Sequence, residues 1–213
     1  MDRPARIRKI IRWKTPLYLI TDTAIAGLSH RTIARRAIAA GIGTIQIRDK
    51  CLCRRELYRE AAAVRKITRE HGVTLIINDH VDIALAVDAD GVHLGQEDLP
   101  LAEARSIMGD RKIIGLSTHS ASQAARAEQG GADYIGFGPL YRTETKDAGR
   151  PRGIRALQEV RRIVTIPVVA IGGISRANIR EVLDAGADAA AILSAVLSGG
   201  ISRNIKSLLS ELQ

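Results

Sequence analysis

The sequence predicts a single-domain α/β protein in which eight parallel strands alternate with helices and close into a (β/α)8 barrel, the TIM barrel. Three observations favour this fold. The apolar residues are chiefly Ala, Ile, Leu and Val, with aromatic residues at only 3%, which is typical of strands buried on both faces. A helix end rich in small residues is followed by a short apolar strand at four places in the chain. No Pro/Gly/Ser-rich or single-charge block divides the 213 residues, so they predict one core.

The four recurring junctions indicate the direction of the strands. They read AGIGTIQIRD from Ala40, VDADGVHLG from Val87, GGADYIGFG from Gly130 and AGADAAAIL from Ala185. Because the same helix-to-strand junction recurs, the strands that follow are expected to run in the same direction. Extending the pattern along the chain predicts eight strands, at residues 17–21, 44–48, 74–77, 90–94, 112–116, 133–137, 167–171 and 188–192.

Helix-length segments separate these strands, including residues 54–70, 120–129, 154–162 and 176–184. Eight such units predict a barrel near the short end of the usual length for this fold. An open doubly wound sheet is the alternative, but its Gly-x-Gly-x-x-Gly pattern does not follow the first strand. The basic residues 1–14 predict a short capping helix, which leaves residues 15–213 for the barrel.

Charge, hydropathy and cysteine spacing exclude several functions. The formal net charge of +9 is spread through the predicted helices and few aromatic residues are present to stack on bases, so no nucleic-acid partner is expected. No segment resembles a signal peptide or reaches the length of a membrane span, so no membrane partner is expected. Cys51 and Cys53 match neither a redox nor a zinc spacing, which favours reduced thiols in a cytoplasmic protein. The oligomeric state is left open, a homo-oligomer included.

The second predicted strand ends in an alternating pattern of polar and apolar residues. Gln46, Arg48 and Lys50 alternate with Ile45 and Ile47. The period of two directs the polar side chains one way and the isoleucines toward the helices. In a parallel barrel the functional residues gather at the carboxyl ends of the strands, so this polar set is expected at the site.

Other predicted strands also end in polar residues or glycines. They deliver Asn78 and Asp79; His93, Gln96 and Asp98; Ser117 and His119; Gly172 and Gly173; and Ser194. The stretch GFGPLYRTETKDAG, residues 136–149, follows the sixth strand and carries Thr143, Thr145 and Lys146. Hydroxyl and ammonium groups on a loop are typical of an anion site.

The charges of these groups predict the ligands. The cations Arg48, Lys50 and Lys146 suit phosphates, but the carboxylates Asp79 and Asp98 would repel them unless a metal cation lies between. Magnesium held by one or two carboxylates and completed by phosphate oxygens resolves this conflict, and predicts a diphosphate ligand. Backbone N–H groups at the seventh and eighth strand ends predict a second, monophosphate ligand. Two phosphorylated small molecules in one site indicate group transfer.

The motifs QIRDK, INDHVDIALAVDADGVHLGQEDLP, GLSTHS, GADYIGFGPLYRTETKDAG, VVAIGGI and ILSAV resemble, in this order, those of the thiamine-phosphate synthase family. The resemblance covers about residues 17–198. It implies an enzyme that joins 4-amino-2-methyl-5-hydroxymethylpyrimidine diphosphate to hydroxyethylthiazole phosphate, or its carboxylated form, and releases thiamine monophosphate and pyrophosphate. It also implies that the pyrimidine ionises before the thiazole nitrogen attacks. A thiazole tautomerase relative and a non-catalytic phosphate-binding barrel are the alternatives.

The resemblance also assigns roles by position. For the pyrimidine diphosphate it implies Gln46, Arg48, Lys50, Asn78, Ser117 and Lys146, of which Arg48, Lys50, Ser117 and Lys146 would be catalytic. For the thiazole phosphate it implies Thr143, Thr145, Gly173, Leu193 and Ser194. Asp79 and Asp98 would hold magnesium. His93 is a further pyrimidine contact, either as a general base or as an orienting residue.

Overall fold

The computed structural model describes residues 14–143 and 149–212. Eight parallel strands in these residues form a closed barrel, each strand pairing with the next and the last with the first. The strands are β1 (Leu17–Thr21), β2 (Thr44–Ile47), β3 (Thr74–Asn78), β4 (Gly91–Leu94), β5 (Ile113–Thr118), β6 (Tyr134–Phe137), β7 (Val168–Ala170) and β8 (Ala189–Ile192). The predicted fold class and all eight strands are confirmed. The predicted capping helix falls on residues that are almost all outside the described ranges, and it stays a prediction.

Helices cover the outside of the barrel. Within the described ranges they are α1 (Thr23–Ala26), α2 (His30–Ala39), α3 (Arg54–Glu70), α4 (Val81–Ala86), α5 (Leu101–Met108), α6 (Ala121–Gln129), α7 (Gly153–Ile163), α8 (Ile179–Asp184), α9 (Ser194–Leu197) and α10 (Ile201–Ser210). Helix α3 has the predicted bounds, whereas α8 begins three residues later than predicted. The Asn178 side chain explains the delay, because its Oδ1 accepts the Ser175 N–H at 2.8 Å and holds that segment in a turn. No helix of residues 14–143 and 149–212 is long and apolar enough to cross a bilayer.

The alternation of side chains along each strand produces two cores. Ile45 and Ile47 belong to the larger core between the barrel and its helices, as the period of two predicts. The smaller core lies inside the barrel and includes Tyr18, Ile76 and Tyr134. The carboxyl ends of the strands therefore receive their polar groups from the inward-facing positions.

The amino ends of the strands carry a repeated arginine–aspartate contact, here called the clasp. In each clasp an aspartate stands just before an even-numbered strand and accepts a backbone N–H of the odd-numbered strand that precedes it. The same aspartate pairs with an arginine of the helix that leads into that odd-numbered strand. The three clasps are Asp90 with Leu75 N and Arg65, Asp133 with Ile114 N and Arg105, and Asp188 with Val168 N and Arg161. All three backbone hydrogen bonds are 2.8 Å long. The junctions that begin at Val87, Gly130 and Ala185 thus share this contact as well as a sequence pattern.

The fourth junction lacks an aspartate. Gly43 stands just before β2, where the other junctions have Asp90, Asp133 and Asp188. A Cβ atom at Gly43 would lie only 2.7 Å from the Lys14 Cβ, so this position has no room for a side chain. The chain leading into β1 occupies that space.

Candidate active site

A cavity of about 230 Å³ opens at the carboxyl ends of the strands. It brings together nine residues that the sequence predicted for the site: Gln46, Arg48, Asn78, His93, Ser117, Thr143, Gly173, Leu193 and Ser194. The predicted residues Lys50, Asp79 and Asp98 do not line the cavity, but they lie at its rim. Asp79 follows the lining residue Asn78 in the chain, and it contacts both Lys50 and Asp98. Thr145 and Lys146 lie outside the described residues, and their roles stay predictions.

Both described cations of the rim have carboxylate partners. Arg48 Nη1 donates to Asp22 Oδ2 at 3.0 Å, and both side chains are largely buried. Lys50 Nζ donates to Asp79 Oδ2 at 2.6 Å, with most of the lysine exposed. Asp22 was not predicted. Its other oxygen caps α1 through the N–H groups of Ala24 and Ile25, which fixes the carboxylate beside Arg48.

The two carboxyl groups predicted to bind magnesium interact directly. Asp79 follows β3 in the left-handed region, at φ 62°, with its N–H donating to the His93 carbonyl at 2.8 Å. Burial favours a higher pKa for Asp79, but hydrogen bonds from Lys50 and Asp98 outweigh it and lower the pKa. Burial raises the pKa of Asp98, and the neighbouring Asp79 carboxylate raises it further, against the Gly95 N–H that donates to Asp98. The Asp98 carboxyl group therefore keeps its proton to a higher pH than an exposed aspartate does, and Asp79 to a lower pH.

Two carboxyl groups that interact directly mark a place suited to a cation. Among residues 14–143 and 149–212, no group of three or more His, Cys, Asp or Glu side chains could hold a metal ion. A metal bound at Asp79 and Asp98 would need most of its ligands from phosphate or water. Magnesium commonly binds in this manner, through one or two carboxylates and substrate phosphates, so the donor set fits this ion.

The floor of the cavity is a chain of hydrogen-bonded side chains. Gln46 Nε2 donates to the Tyr18 hydroxyl at 2.8 Å, and that hydroxyl lies 2.8 Å from the hydroxyl of Tyr134. His93 bridges Tyr134, 2.8 Å from its Nδ1, and Ser117 Oγ, 2.9 Å from its Nε2. An amide nitrogen can only donate, so one proton order that satisfies every member runs from Gln46 to Ser117. Both His93 nitrogens are engaged, which favours the orienting role for this residue.

Tyr18 and Tyr134, the two tyrosines of this hydrogen-bonded network, were not predicted as site residues. Burial raises the pKa of Tyr18, and burial together with Tyr18 raises that of Tyr134, so both remain hydroxyl groups. The sequence does carry one signal for them. Gly115 lies opposite Tyr134 in the β5–β6 ladder, and a Cβ there would lie 2.1 Å from the Tyr134 Cζ. The glycine is needed to admit the ring into the barrel.

The opposite side of the cavity is built from backbone. Gly172 and Gly173 follow β7 with φ of 98° and 66°, and a Cβ on Gly173 would lie 2.6 Å from the Arg142 carbonyl oxygen. Ser194 follows β8 and begins α9. Within the described residues, the N–H groups of Gly173 and Ser194 donate to no other backbone carbonyl. Thr143 lines the same side, so hydroxyl and N–H donors meet there.

His119, which the sequence placed at the end of the fifth strand without a role, lines the cavity at the end of β5. His119 Nδ1 lies 2.7 Å from the Gly138 carbonyl oxygen, which can only accept, so Nδ1 carries the proton. The contact joins the β5 and β6 loops. Sequence alone placed His119 at a strand end without indicating its partner.

Comparisons with known proteins agree with this geometry. The family described as thiamine monophosphate synthase matches residues 17–196. The thiamine-phosphate synthase of Chloroflexus aurantiacus is 45% identical over 97% of both chains. That of Methanocella arvoryzae is 50% identical over 92% of this chain and 95% of its own. The structure of thiamine phosphate pyrophosphorylase from Pyrococcus furiosus superposes with a TM-score of 0.86 at 41% identity, covering 92% of this chain and 94% of that one.

These matches extend over nearly the whole barrel and include every strand that lines the cavity. Both sequence relatives are thiamine-phosphate synthases, and the sequence motifs that carry the resemblance lie at the strand ends described above. The chain therefore belongs to the thiamine monophosphate synthase family, a family of transferase enzymes of thiamine biosynthesis.

Proposed function

We propose that this protein joins 4-amino-2-methyl-5-hydroxymethylpyrimidine diphosphate to hydroxyethylthiazole phosphate, or to its carboxylated form, and releases thiamine monophosphate and pyrophosphate. The observation that carries the proposal is one cavity with two unlike sides. Arg48, Lys50, Asp79 and Asp98 concentrate charge on one side, and the donors of Gly173, Ser194 and Thr143 lie on the other. This division suits a diphosphate donor and a monophosphate acceptor.

The charged side acts on the leaving group. As the bond between the pyrimidine methylene carbon and the diphosphate oxygen breaks, both electrons leave with pyrophosphate and negative charge grows there. Arg48 and Lys50 stabilise that charge, and Lys146 is expected to add to them. The thiazole nitrogen then supplies the electron pair of the new carbon–nitrogen bond. Asp22 and Asp79 hold the two described cations at the rim before the donor binds.

Asp79 and Asp98 are the residues that would hold magnesium. When bound, the ion would supply positive charge to the diphosphate oxygens and act as a Lewis acid. A proton on Asp98, whose pKa is raised, would leave as the ion binds, since a carboxyl group ligates in its deprotonated form.

The remaining side chains orient the pyrimidine and exclude water. Ser117 and Gln46 present polar atoms to the cavity, and the chain through Tyr134 and His93 fixes their positions. The apolar residues Ile20, Val169 and Ala191 complete the floor. A cationic intermediate in such a pocket meets the thiazole nitrogen before it meets water.

The backbone side would hold the acceptor. The N–H groups of Gly173 and Ser194 and the hydroxyl of Thr143 are placed to bind the thiazole phosphate, with Leu193 beside them and Thr145 expected to join. Binding of both phosphates at opposite sides brings the reacting carbon and nitrogen together, which contributes through proximity.

The test uses the purified protein with magnesium and compares pyrimidine diphosphate with pyrimidine monophosphate at saturating thiazole phosphate. Thiamine phosphate and pyrophosphate are measured, and a parallel sample without donor is examined for thiazole isomerisation. Product from the diphosphate alone supports the synthase. Isomerisation without donor indicates a tautomerase, and binding without either reaction indicates a passive phosphate-binding barrel.

A further inference from the structure

The loop after β2 is built around a carboxylate that faces away from the site. Asp49 stands between Arg48 and Lys50, and its side chain is only 3% exposed. Its Oδ1 accepts the backbone N–H groups of Cys51 at 2.8 Å and Leu52 at 2.9 Å. The loop that carries both rim cations is therefore folded onto one buried group.

The second oxygen of Asp49 connects this loop to the preceding βα unit. Asp49 Oδ2 accepts the hydroxyl of Thr23 at 2.6 Å and lies 3.1 Å from His30 Nε2. His30 is fully buried at the start of α2, and its Nδ1 lies 2.7 Å from the hydroxyl of Thr21 at the end of β1. A carboxylate can only accept, so the His30 Nε2 carries a proton and donates to Asp49. The Thr21 hydroxyl lies between the His30 Nδ1 and the Gln46 carbonyl oxygen, which is 3.2 Å from it.

The charge states agree with this arrangement. Burial lowers the pKa of His30, so the ring is neutral. Burial alone would raise the pKa of Asp49, but the Thr23 hydroxyl and the N–H groups of Leu52 and Cys51 lower it, so this carboxylate is charged. The His30–Asp49 contact thus adds no positive charge of its own to the rim.

We propose that His30 and Asp49 form a clamp that positions Arg48 and Lys50 for a diphosphate. Within the described residues, neither His30 nor Asp49 lines the cavity, and neither forms a hydrogen bond with the side chain of Arg48 or Lys50. Both are therefore positioning residues. The proposal rests on the proposed function in that the diphosphate is the donor's leaving group.

The clamp works through the alternation of the chain. Residues 48 and 50 point toward the rim because residue 49 points away and is held there by four hydrogen bonds. Without the contact from His30 the loop has more freedom, and ordering both long cationic side chains around a ligand then costs more conformational entropy. The affinity for a diphosphate should fall, while the backbone side of the cavity stays intact.

The test compares His30→Leu, which removes both hydrogen bonds of the ring, with His30→Gln, which keeps an amide donor for Asp49. A third variant, Thr23→Val, removes the hydroxyl contact to Asp49 at a partly buried position, where a substitution is expected to disturb folding less than at the fully buried His30. Asp188→Asn, at the opposite end of the barrel, is the control for a changed side-chain contact that is remote from the site. The affinity for inorganic pyrophosphate with magnesium is measured by calorimetry, together with kcat and both KM values.

We expect His30→Leu to weaken pyrophosphate binding and to raise the donor KM by about tenfold, corresponding to one lost hydrogen bond to a charged group. His30→Gln should recover most of this loss, Thr23→Val should show a smaller loss, and the acceptor KM should stay unchanged in all of them. Unchanged pyrophosphate affinity in His30→Leu or Thr23→Val, equal shifts of both KM values, or the same shift in Asp188→Asn would overturn the clamp. So would wild-type protein that does not bind pyrophosphate. Wild-type protein that binds pyrophosphate but makes no thiamine phosphate would refute the proposed function alone, and the affinities would still decide on the clamp.

Discussion

The two ends of the barrel use the same residue types for different purposes. At the amino end, Asp90, Asp133 and Asp188 each pair with an arginine and also accept a backbone N–H of a strand. At the carboxyl end, Asp22 and Asp79 pair with cations beside an open cavity, and within the described residues no strand N–H donates to either carboxylate. An ion pair whose carboxylate also accepts a strand N–H contributes to the fold, whereas an ion pair that contacts only loops and side chains can exchange its partner for a ligand.

The largest effect should follow removal of a carboxylate at the carboxyl end. Asp79→Asn keeps a residue that tolerates the positive φ but cannot hold a cation as a carboxylate does. We expect kcat to fall by about 10²- to 10³-fold with an almost unchanged Tm, and Asp98→Asn to behave alike. Chelation of magnesium in the wild-type protein should also abolish turnover. Full activity in chelator would contradict the magnesium assignment.

The second change removes a carboxylate at the amino end of the barrel. Asp133→Asn replaces a buried charge that pairs with Arg105 and accepts the Ile114 N–H. We expect a loss of about 2 kcal/mol in the free energy of unfolding, measured by urea denaturation, with both KM values unchanged. A shift of either KM would show that the amino end affects the site, and would contradict separate roles for the two ends of the barrel.

A change midway between the ends tests how far the site extends into the barrel. Gly115→Ala places a methyl group where the Tyr134 ring lies, 2.1 Å from its Cζ, so the ring must move and its contact with His93 is lost. Overpacking of this kind costs on the order of 1–3 kcal/mol. We expect a donor KM raised by about tenfold, with a smaller change for the acceptor. An unchanged donor KM would show that the hydrogen-bonded chain through Tyr134 does not take part in donor binding.

The smallest effect concerns pH. Burial lowers the pKa of His30 in the fold, although Asp49, Glu60 and Asp22 oppose the shift. The unfolded chain, with a histidine pKa of about 6.5, therefore binds this proton more readily than the folded protein. Stability from the neutral ring is complete above that value and is lost as pH falls below it toward the lowered pKa. Urea unfolding from pH 8 to 5 should show a decline that is shallower in His30→Gln, and equal slopes would contradict it.

Much of the fold could be predicted from the sequence because the helix-to-strand junctions repeat. The rule that barrel sites lie at strand carboxyl ends then brought together Gln46, Arg48 and Ser117, which do share the cavity. The rule does not show which buried strand residues face inward with a polar atom, so Tyr18 and Tyr134 were missed. It also cannot pair residues of neighbouring units, and the contact of Asp22 with Arg48 depends on such a pairing.

The clasps divide the molecule into modules. Each clasp lies wholly within one segment that runs from a helix through two strands, such as α5 through β6, and the contact of Arg105 with Asp133 closes that segment on itself. At the fourth place, Gly43 and the chain at Lys14 fit together instead. We therefore expect that a segment from α5 to β6 or from α7 to β8 can be exchanged between related barrels together with its own arginine–aspartate contact, whereas the first two strands should need the chain that leads into them.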